Sequence, residues 1–194
     1  WHPRHLNEVL ADIALKMRLA MFKEDDRFIL DIDSTLHHQY SKKMEELGWG
    51  YDQKTWGLSS LQAFDNRGFQ YWMDVKGGSV HTSNGVPTVI QRVFRKVPRK
   101  MRRYLRADAG MCNFDVMRAC LDNDVSFVLT MPAHMHEPMI PLVTNWNETK
   151  DTYFKGKKAE IGTAIYYPKN LDRDRPLRVV LVRVPKDQPE LYGD

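Results

Sequence analysis

The sequence predicts an α/β fold built on a mixed sheet, and three observations support this class. An apolar run within 27–35 ends in acidic residues, as expected for a buried strand with carboxylates at its end. Two strand-like segments follow around the turn residues 66–68, which predicts an antiparallel hairpin. Helical and strand-like segments then alternate as far as residue 132, a pattern typical of parallel strands with helical connections.

The first half of the chain contains one helix, one strand and the hairpin. Residues 4–22 predict an amphipathic helix, because apolar residues recur at steps of three and four, the spacing of a core-facing stripe. That stripe consists of Leu6, Val9, Leu10, Ile13, Met17 and Met21. The polar segment 36–56 predicts a surface connection. The hairpin strands are expected at 58–66 and 68–76.

The second half alternates helices and strands before its character changes. The next helix has a stripe of Val86, Val89, Ile90, Val93 and Val97. Ser83 or Asn84 could cap this helix, Pro87 suits its first turn and Pro98 ends it. A strand at 102–107, a helix at 113–122 capped by Asn113 and a buried strand at 125–131 follow. Short apolar runs at 161–167 and 178–184 then predict antiparallel β structure.

Three regions result: an N-terminal helix (1–24), an α/β core (25–132) and a β-rich segment (133–194). The 194 residues are 42% apolar and 28% charged, which excludes a disordered or low-complexity chain. No apolar run approaches the roughly 18 residues of a membrane helix, and no secretory signal begins the chain. We therefore expect no membrane partner, a cytoplasmic location and buried, unbridged thiols at Cys112 and Cys120. The missing initiator Met suggests a piece of a longer protein.

The charge distribution points to a polyanionic partner. The net charge is only +4, yet residues 92–106 contain eight basic residues and no acidic one, so the rest of the chain is slightly acidic. These residues are Arg92, Arg95, Lys96, Arg99, Lys100, Arg102, Arg103 and Arg106. We call them the basic strip. A strip of this kind is the electrostatic footprint of nucleic acid, and the alternative is an ordinary solvated helix face.

Two acidic residues stand at the ends of predicted central strands: Asp33 in DIDST and Asp108 in RADAG. Sites in α/β sheets assemble at the carboxyl ends of strands, and a pair of carboxylates there suits Mg²⁺ or Mn²⁺. A third carboxylate would allow two ions to hold the attacking and leaving oxygens of a phosphodiester. For either residue alone, a turn or helix-cap role is the alternative.

The residues around Asp33 are expected to support it. Asp31 lies two positions earlier and so shares its face of the strand. It could assist a metal or pair with an arginine, and we favour the second role. Ser34 and Thr35 could bind a phosphate or a carboxylate through their hydroxyls, or could simply belong to a turn.

Taken together, four segments resemble the transposases of bacterial insertion sequences of the DDE type. These are DIDST, GFQYWMDVKGG, GVPTVIQRVFRKVP and RRYLRADAGMCNFDVMRACLDNDVSFVLTM. The resemblance covers about residues 25–185 in order. It implies a ribonuclease H-like mixed sheet with flanking helices and a β-rich insertion after the fifth strand. This agrees with the order of elements expected from the residues alone.

The resemblance also implies an Asp, Asp, Glu metal triad, with Asp33 and Asp108 in the first two positions. The family's Glu lies on a helix beyond the insertion, and no residue here matches it, because Glu160 and Glu190 fall in the β-rich segment or the tail. The third ligand is therefore expected beyond residue 194, and the fragment alone is expected to be inactive. The intact protein would cut and join DNA with Mg²⁺ or Mn²⁺, acting on transposon ends and target, with a homodimer as a candidate assembly.

Two other interpretations remain open from the sequence. The run 28–35 also fits the opening motif of haloacid-dehalogenase-like phosphatases, with Asp31 as nucleophile and Asp33 as general acid/base. A hairpin directly after this strand favours the transposase, whereas parallel strands throughout favour the phosphatase. The other interpretation is a DNA-binding remnant without a working site.

Overall fold

The computed structural model describes residues 3–41, 43–50, 52–154, 157–171 and 175–184, which form two compact units, Trp1–Thr130 and Met131–Asp194. The first unit contains α1 (Pro3–Met21), β1 (Arg27–His38), β2 (Gly48–Trp49), β3 (Trp56–Asp65), β4 (Gln70–Gly77), α2 (Val86–Lys96), β5 (Arg102–Ala107), α3 (Phe114–Asp122) and β6 (Ser126–Leu129). The second contains the short helix α4 (His136–Met139) and the strands β7 (Trp146–Phe154), β8 (Lys157–Tyr166) and β9 (Leu177–Arg183).

The first unit is built on one mixed sheet. Its strands run in the order β3, β1, β5, β6, and both β4 and the two-residue β2 pair with β3 on the side away from β1. The β1–β3 and β3–β4 pairs are antiparallel, whereas β1–β5 and β5–β6 are parallel. The hairpin prediction is confirmed, and so is the mixed α/β class. This arrangement is consistent with the ribonuclease H-like sheet that the resemblance implies.

The helices after the hairpin form where the sequence predicts them. On α2, Phe94 joins the expected stripe in the core, and the helix ends before Pro98 because Val97 is extended. Its N-cap is Gly85 with φ 85°, so neither Ser83 nor Asn84 caps it. On α3, Asn113 is the cap as predicted, and its side chain accepts a hydrogen bond from Val116 N at 3.0 Å.

One face of the sheet carries the core. Phe28, Leu30 and Ile32 of β1 and Leu105 of β5 are at most 2% exposed and pack with α2 and α3. Both cysteines are free, and burial raises the pKa of Cys120 to about 12. The opposite face, which we call the open face, exposes apolar side chains, up to 69% for Val128. The predicted buried strand at 125–131 is therefore a short, half-exposed edge strand, β6.

The prediction that the apolar stripe of α1 faces the core is wrong. The helix exists, but Leu6, Val9, Ile13, Met17 and Met21 are each between 50% and 65% exposed. The buried face consists of Asn7, Ala11, Ala14, Leu15 and Arg18. The Asn7 amide exchanges two hydrogen bonds with the backbone of Met73, so α1 covers the free edge of β4. The small and polar side chains of this face let the helix lie close to the strand edge and satisfy its backbone groups. The apolar stripe could not form those hydrogen bonds.

Three further features complete the fold. The expected surface connection at 36–56 is shorter than predicted, because β1 continues to His38 and β2 adds a bridge to β3. In the second unit, β7, β8 and β9 form an antiparallel sheet in that order. The sequence missed β7. Among the described residues, no helix has both the length and the apolar content needed to cross a bilayer.

A buried ion pair joins α1 to the hairpin. The side chains of Arg18 and Asp65 are both fully buried, with Arg18 Nε 2.8 Å from Asp65 Oδ2. Arg18 Nη2 also donates to Asp25 and to the Arg27 carbonyl. Asp65 accepts hydrogen bonds from the Tyr71 hydroxyl and from backbone N–H groups of the hairpin turn. Burial and the neighbouring carboxylate raise the pKa of Tyr71.

Removal of Arg18 tests the importance of this pair. We expect Arg18→Met to lower the free energy of unfolding by about 3–5 kcal/mol, because it leaves the buried Asp65 carboxylate without its cation. Urea unfolding followed by circular dichroism measures this change. The matched control is Arg67→Met, since Arg67 pairs with Asp25 at the surface and should contribute no more than about 1 kcal/mol. Equal losses in the two variants would contradict the assignment.

Candidate functional site

The strand register brings Asp33 and Asp108 together at the end of the β1–β5 ladder. The prediction that Asp33 ends its strand is wrong, because β1 stays paired with β3 for five more residues, to His38. The parallel ladder between β1 and β5 runs from Arg27 opposite Arg102 to Ile32 opposite Ala107. Asp33 and Asp108 are the next residue on each strand, so they emerge side by side where the ladder ends. Neighbouring strands lie about 4.8 Å apart, a separation that two carboxylates can bridge with one cation.

Both carboxylates are accessible. Asp33 and Asp108 are exposed, and no described residue forms an ion pair with either. The Ser34 N–H donates to Asp33 Oδ1 at 2.8 Å. Asp108 begins a short turn at which Thr82 donates to the Gly110 carbonyl at 3.1 Å. A Cβ at Gly110 would lie 2.6 Å from the Thr82 hydroxyl, so only glycine allows this approach.

Asp31 is held by an arginine, as the sequence analysis favoured. Arg106, directly opposite on β5, donates to both carboxylate oxygens of Asp31, at 2.6 and 2.7 Å. These hydrogen bonds raise the pKa of Arg106. The bidentate pair places a neutralised carboxylate near Asp33. It also joins β1 to β5 two residues before each candidate ligand. Both Asp31 oxygens are therefore engaged by Arg106, and Asp31 is not available as a free ligand.

The two hydroxyl residues after Asp33 lie on opposite faces of β1. The Ser34 hydroxyl contacts the Ser59 hydroxyl at 2.9 Å on the helix side, so its link to Asp33 is through the backbone. Thr35 shares the open face with Asp33 and is exposed.

The open face also carries a polar cluster that the sequence does not predict. Gln62 lies opposite Asp33 on β3 and donates to the Ser60 hydroxyl at 3.0 Å. The same hydroxyl lies 2.7 Å from His37 Nε2. Strand alternation alone cannot identify this cluster, because it depends on the register between β1 and β3.

The donor set fits a hard divalent cation. Mg²⁺ is commonly bound by one or two carboxylates, with water and substrate phosphates completing its coordination. Asp33 and Asp108 supply two such carboxylates. Among the described residues, no group of three or more His, Cys, Asp or Glu side chains is placed to hold a metal. A bound cation would therefore depend on these two carboxylates and on ligands from outside the described residues.

The helical part of the basic strip is largely compensated within the protein. Arg92 and Lys96 of α2 pair with Glu8 of α1 at 2.5 and 2.9 Å, and Lys96 also pairs with Asp12. Hydrogen bonds from Lys96, and then from Arg92, lower the pKa of Glu8. Arg95 is more exposed and lies 3.9 Å from Glu8. These contacts join α1 to α2, so they are structural.

The rest of the strip lies at the far end of β5 or on its surface. Arg102 pairs with Asp26, while Arg103 donates to the Val97 and Asn123 carbonyls. Arg99 and Lys100, in the loop before β5, are exposed and form no ion pair with any described residue. About 20 Å of extended strand separates this loop from Asp108. The strip is therefore several separate groups of cations and not one continuous surface.

The chain belongs to the family described as transposase DDE domain group 1, whose sequence profile matches residues 1–188. This assignment confirms the resemblance to DDE-type transposases and covers nearly the whole chain. The family implies an enzyme of the nuclease or transferase class that acts on DNA. No curated protein matches the chain.

The alternative of a haloacid-dehalogenase-like phosphatase loses its support. In the chain, β1 and the two-residue β2 are followed by the antiparallel hairpin of β3 and β4, and β3 pairs directly with β1. The nucleophile of that mechanism would be Asp31, whose two oxygens are both occupied by Arg106. Sheet order, the ion pair and family membership all favour the transposase.

Manganese binding tests the candidate carboxylate pair. We expect Mn²⁺ to broaden the backbone amide NMR signals of Ser34 and Ala109 before those of other residues, because these amides adjoin the two carboxylates. Asp33→Asn and Asp108→Asn should each weaken this effect at least about tenfold. Asp115→Asn is the matched control, since Asp115 is an exposed carboxylate on α3. Unchanged broadening in the double variant Asp33→Asn/Asp108→Asn would exclude the pair as the binding site.

Proposed function

We propose that this chain is the first part of the catalytic domain of a transposase that cuts DNA strands and joins them to a target. The observation that carries the proposal is the ending of the β1–β5 ladder one residue before two exposed carboxylates, neither of which forms an ion pair within the described part of the chain. Family membership supports the reaction class. In this proposal the sheet is a ribonuclease H-like core, and the three-stranded sheet of the second unit is an insertion into it.

Each residue of the site has a separate task in this proposal. Asp33 and Asp108 hold Mg²⁺ or Mn²⁺, which when bound lowers the pKa of a nucleophilic oxygen and stabilises charge on the phosphate. The Ser34 N–H orients the Asp33 carboxylate. The Arg106–Asp31 pair keeps a third negative charge compensated on the same face, so that phosphate oxygens meet less repulsion. Water and then a 3′-hydroxyl would be the successive nucleophiles.

The third acidic ligand is proposed to lie beyond residue 194. A two-carboxylate site can bind an ion weakly through water and phosphate ligands, but a two-ion arrangement needs the further carboxylate. The fragment alone is therefore proposed to bind DNA without cutting it. If the protein is a DNA-binding remnant, the intact protein also binds DNA without cutting it. Cleavage by the intact protein therefore distinguishes a transposase from a remnant.

The cations with the least internal compensation are proposed to contact DNA phosphates. These are Arg95, Arg99 and Lys100. The approximately 20 Å between the loop before β5 and Asp108 corresponds to about six base pairs of duplex. A duplex lying along β5 could therefore contact Arg99 and Lys100 while one of its phosphates reaches the carboxylates. Such contacts provide affinity without sequence preference. Two copies of the chain would act together on paired transposon ends.

Loss of either carboxylate tests the catalytic role. In the full-length protein, we expect Asp33→Ala or Asp108→Ala to reduce strand cleavage to background, because one ligand of the shared ion is removed. DNA affinity in the absence of metal should not fall. Cleavage of a labelled transposon-end duplex and fluorescence anisotropy measure the two properties. Asp115→Ala serves as the control, and substantial cleavage by either site variant would remove that residue from the mechanism.

Salt dependence tests the proposed phosphate contacts. We expect the affinity of this chain for a 30-base-pair duplex to fall steeply with salt, with a logarithmic slope of about −0.9 for each phosphate contacted. The double variant Arg99→Ala/Lys100→Ala should reduce the slope by about 2 units. Arg118→Ala, which removes an exposed cation from α3, should leave the slope unchanged. A wild-type affinity independent of salt, or equal slopes in all variants, would contradict the contacts.

A further inference from the structure

The outward face of α1 carries an apolar stripe that the fold leaves uncovered. We call this the α1 stripe: Leu6, Val9, Leu10, Ile13, Met17, Ala20 and Met21. Five of the larger side chains are at least half exposed, and the helix packs on the sheet through its other face. The uncovered side chains expose about 500 Å² of apolar surface, as much as a typical monomer shows in its largest patch.

The spacing of the α1 stripe identifies the kind of surface it fits. Leu6, Leu10, Ile13, Met17 and Ala20 follow one another at steps of four, three, four and three. This is the seam of a two-helix coiled coil, in which each side chain fits between four residues of a facing helix. No charged residue interrupts the seam over its five positions. The complementary surface is therefore a helix with the same spacing, and α1 itself has that spacing.

We propose that two copies of this chain dimerise through their α1 stripes, with the helices antiparallel. Paired stripes would bury about 1,000 Å² in total, which reaches the size expected of a specific interface. The proposal identifies the surface for the pairing of two copies in the proposed function. Its test needs neither DNA nor metal, so it can fail independently of the strand chemistry.

The charges at the edge of the α1 stripe favour the antiparallel orientation. Asp12 and Lys16 lie one turn apart on this edge, and both are exposed. A two-fold axis between antiparallel helices brings each edge against its own copy. Asp12 Oδ1 is already paired with Lys96 of α2, so Lys16 of one chain approaches the other oxygen of the partner's Asp12, and the reciprocal contact forms by symmetry. Glu8 is already compensated by α2, so it adds little repulsion.

Analytical ultracentrifugation of this chain in reducing buffer tests the proposal. We expect a reversible monomer–dimer equilibrium at micromolar concentrations. Ile13→Glu should raise the dimer dissociation constant at least about a hundredfold, because two carboxylates would meet in the seam. Ile13 is exposed, so the fold should survive, and circular dichroism verifies this. Leu6→Glu provides a second variant at another position of the seam.

Val128→Glu is the matched control, because it places the same charge on an exposed apolar side chain of the open face. It should leave the dimer intact. Wild-type protein that stays monomeric up to about 200 µM, roughly two decades above a micromolar dissociation constant, would overturn the proposal. So would association that survives both seam variants, or association that only Val128→Glu abolishes, since the open face would then be the interface.

Discussion

The buried carboxylate of Asp65 organises both the hairpin and the helix that covers it. It accepts hydrogen bonds from the Arg67 and Phe69 backbone N–H groups, which fixes the turn between β3 and β4. It also receives the Tyr71 hydroxyl and the Arg18 guanidinium from inside the core. An isolated buried carboxylate is costly, so each of these groups is needed by the others. The end of the hairpin therefore has one stable geometry.

That geometry decides which side chains share a face with the candidate site. A shift of one residue between β1 and β3 would turn every side chain of β3 to the other face. The turn is joined to β1, because the Asn66 N–H donates to the Ile29 carbonyl at 3.1 Å. In this register Gln62 lies opposite Asp33, and its neighbour Leu61 enters the core. The candidate ligands, their polar neighbours and the apolar core thus depend on a network at the opposite end of β1. The geometry of the candidate site and the folding stability are therefore linked through this strand.

The basic strip shows how folding can change the meaning of a charge pattern. In the sequence it contains no acidic residue, which favours a polyanion as its partner. In the structure, Glu8, Asp26 and Asp31 reach several of its cations from distant segments. These ion pairs leave Arg99 and Lys100 as exposed cations in one loop. Any DNA contact by this region would depend on that smaller set of cations, together with the more exposed Arg95.

Local patterns in the sequence determined the class of fold and identified the two candidate carboxylates, Asp33 and Asp108. The turn at 66–68, the cap at Asn113 and the stop at Pro98 follow from short-range chemistry and appear at the predicted positions. Asp108 directly follows β5 as predicted, whereas Asp33 lies within β1, which continues to His38. The DIDST and RADAG motifs also carried the family resemblance that the profile match confirms.

Only the tertiary structure decided which surfaces are free. The amphipathic pattern of α1 indicated a helix but gave its orientation wrongly. The edge of β4 needs hydrogen bonds from Asn7, and the buried Asp65 needs a cation, which Arg18 supplies. Those polar demands outweigh the burial of an apolar stripe that another helix can cover. In the same way, the Asp31–Arg106 pair exists only because β1 and β5, distant in the chain, become neighbours in one register.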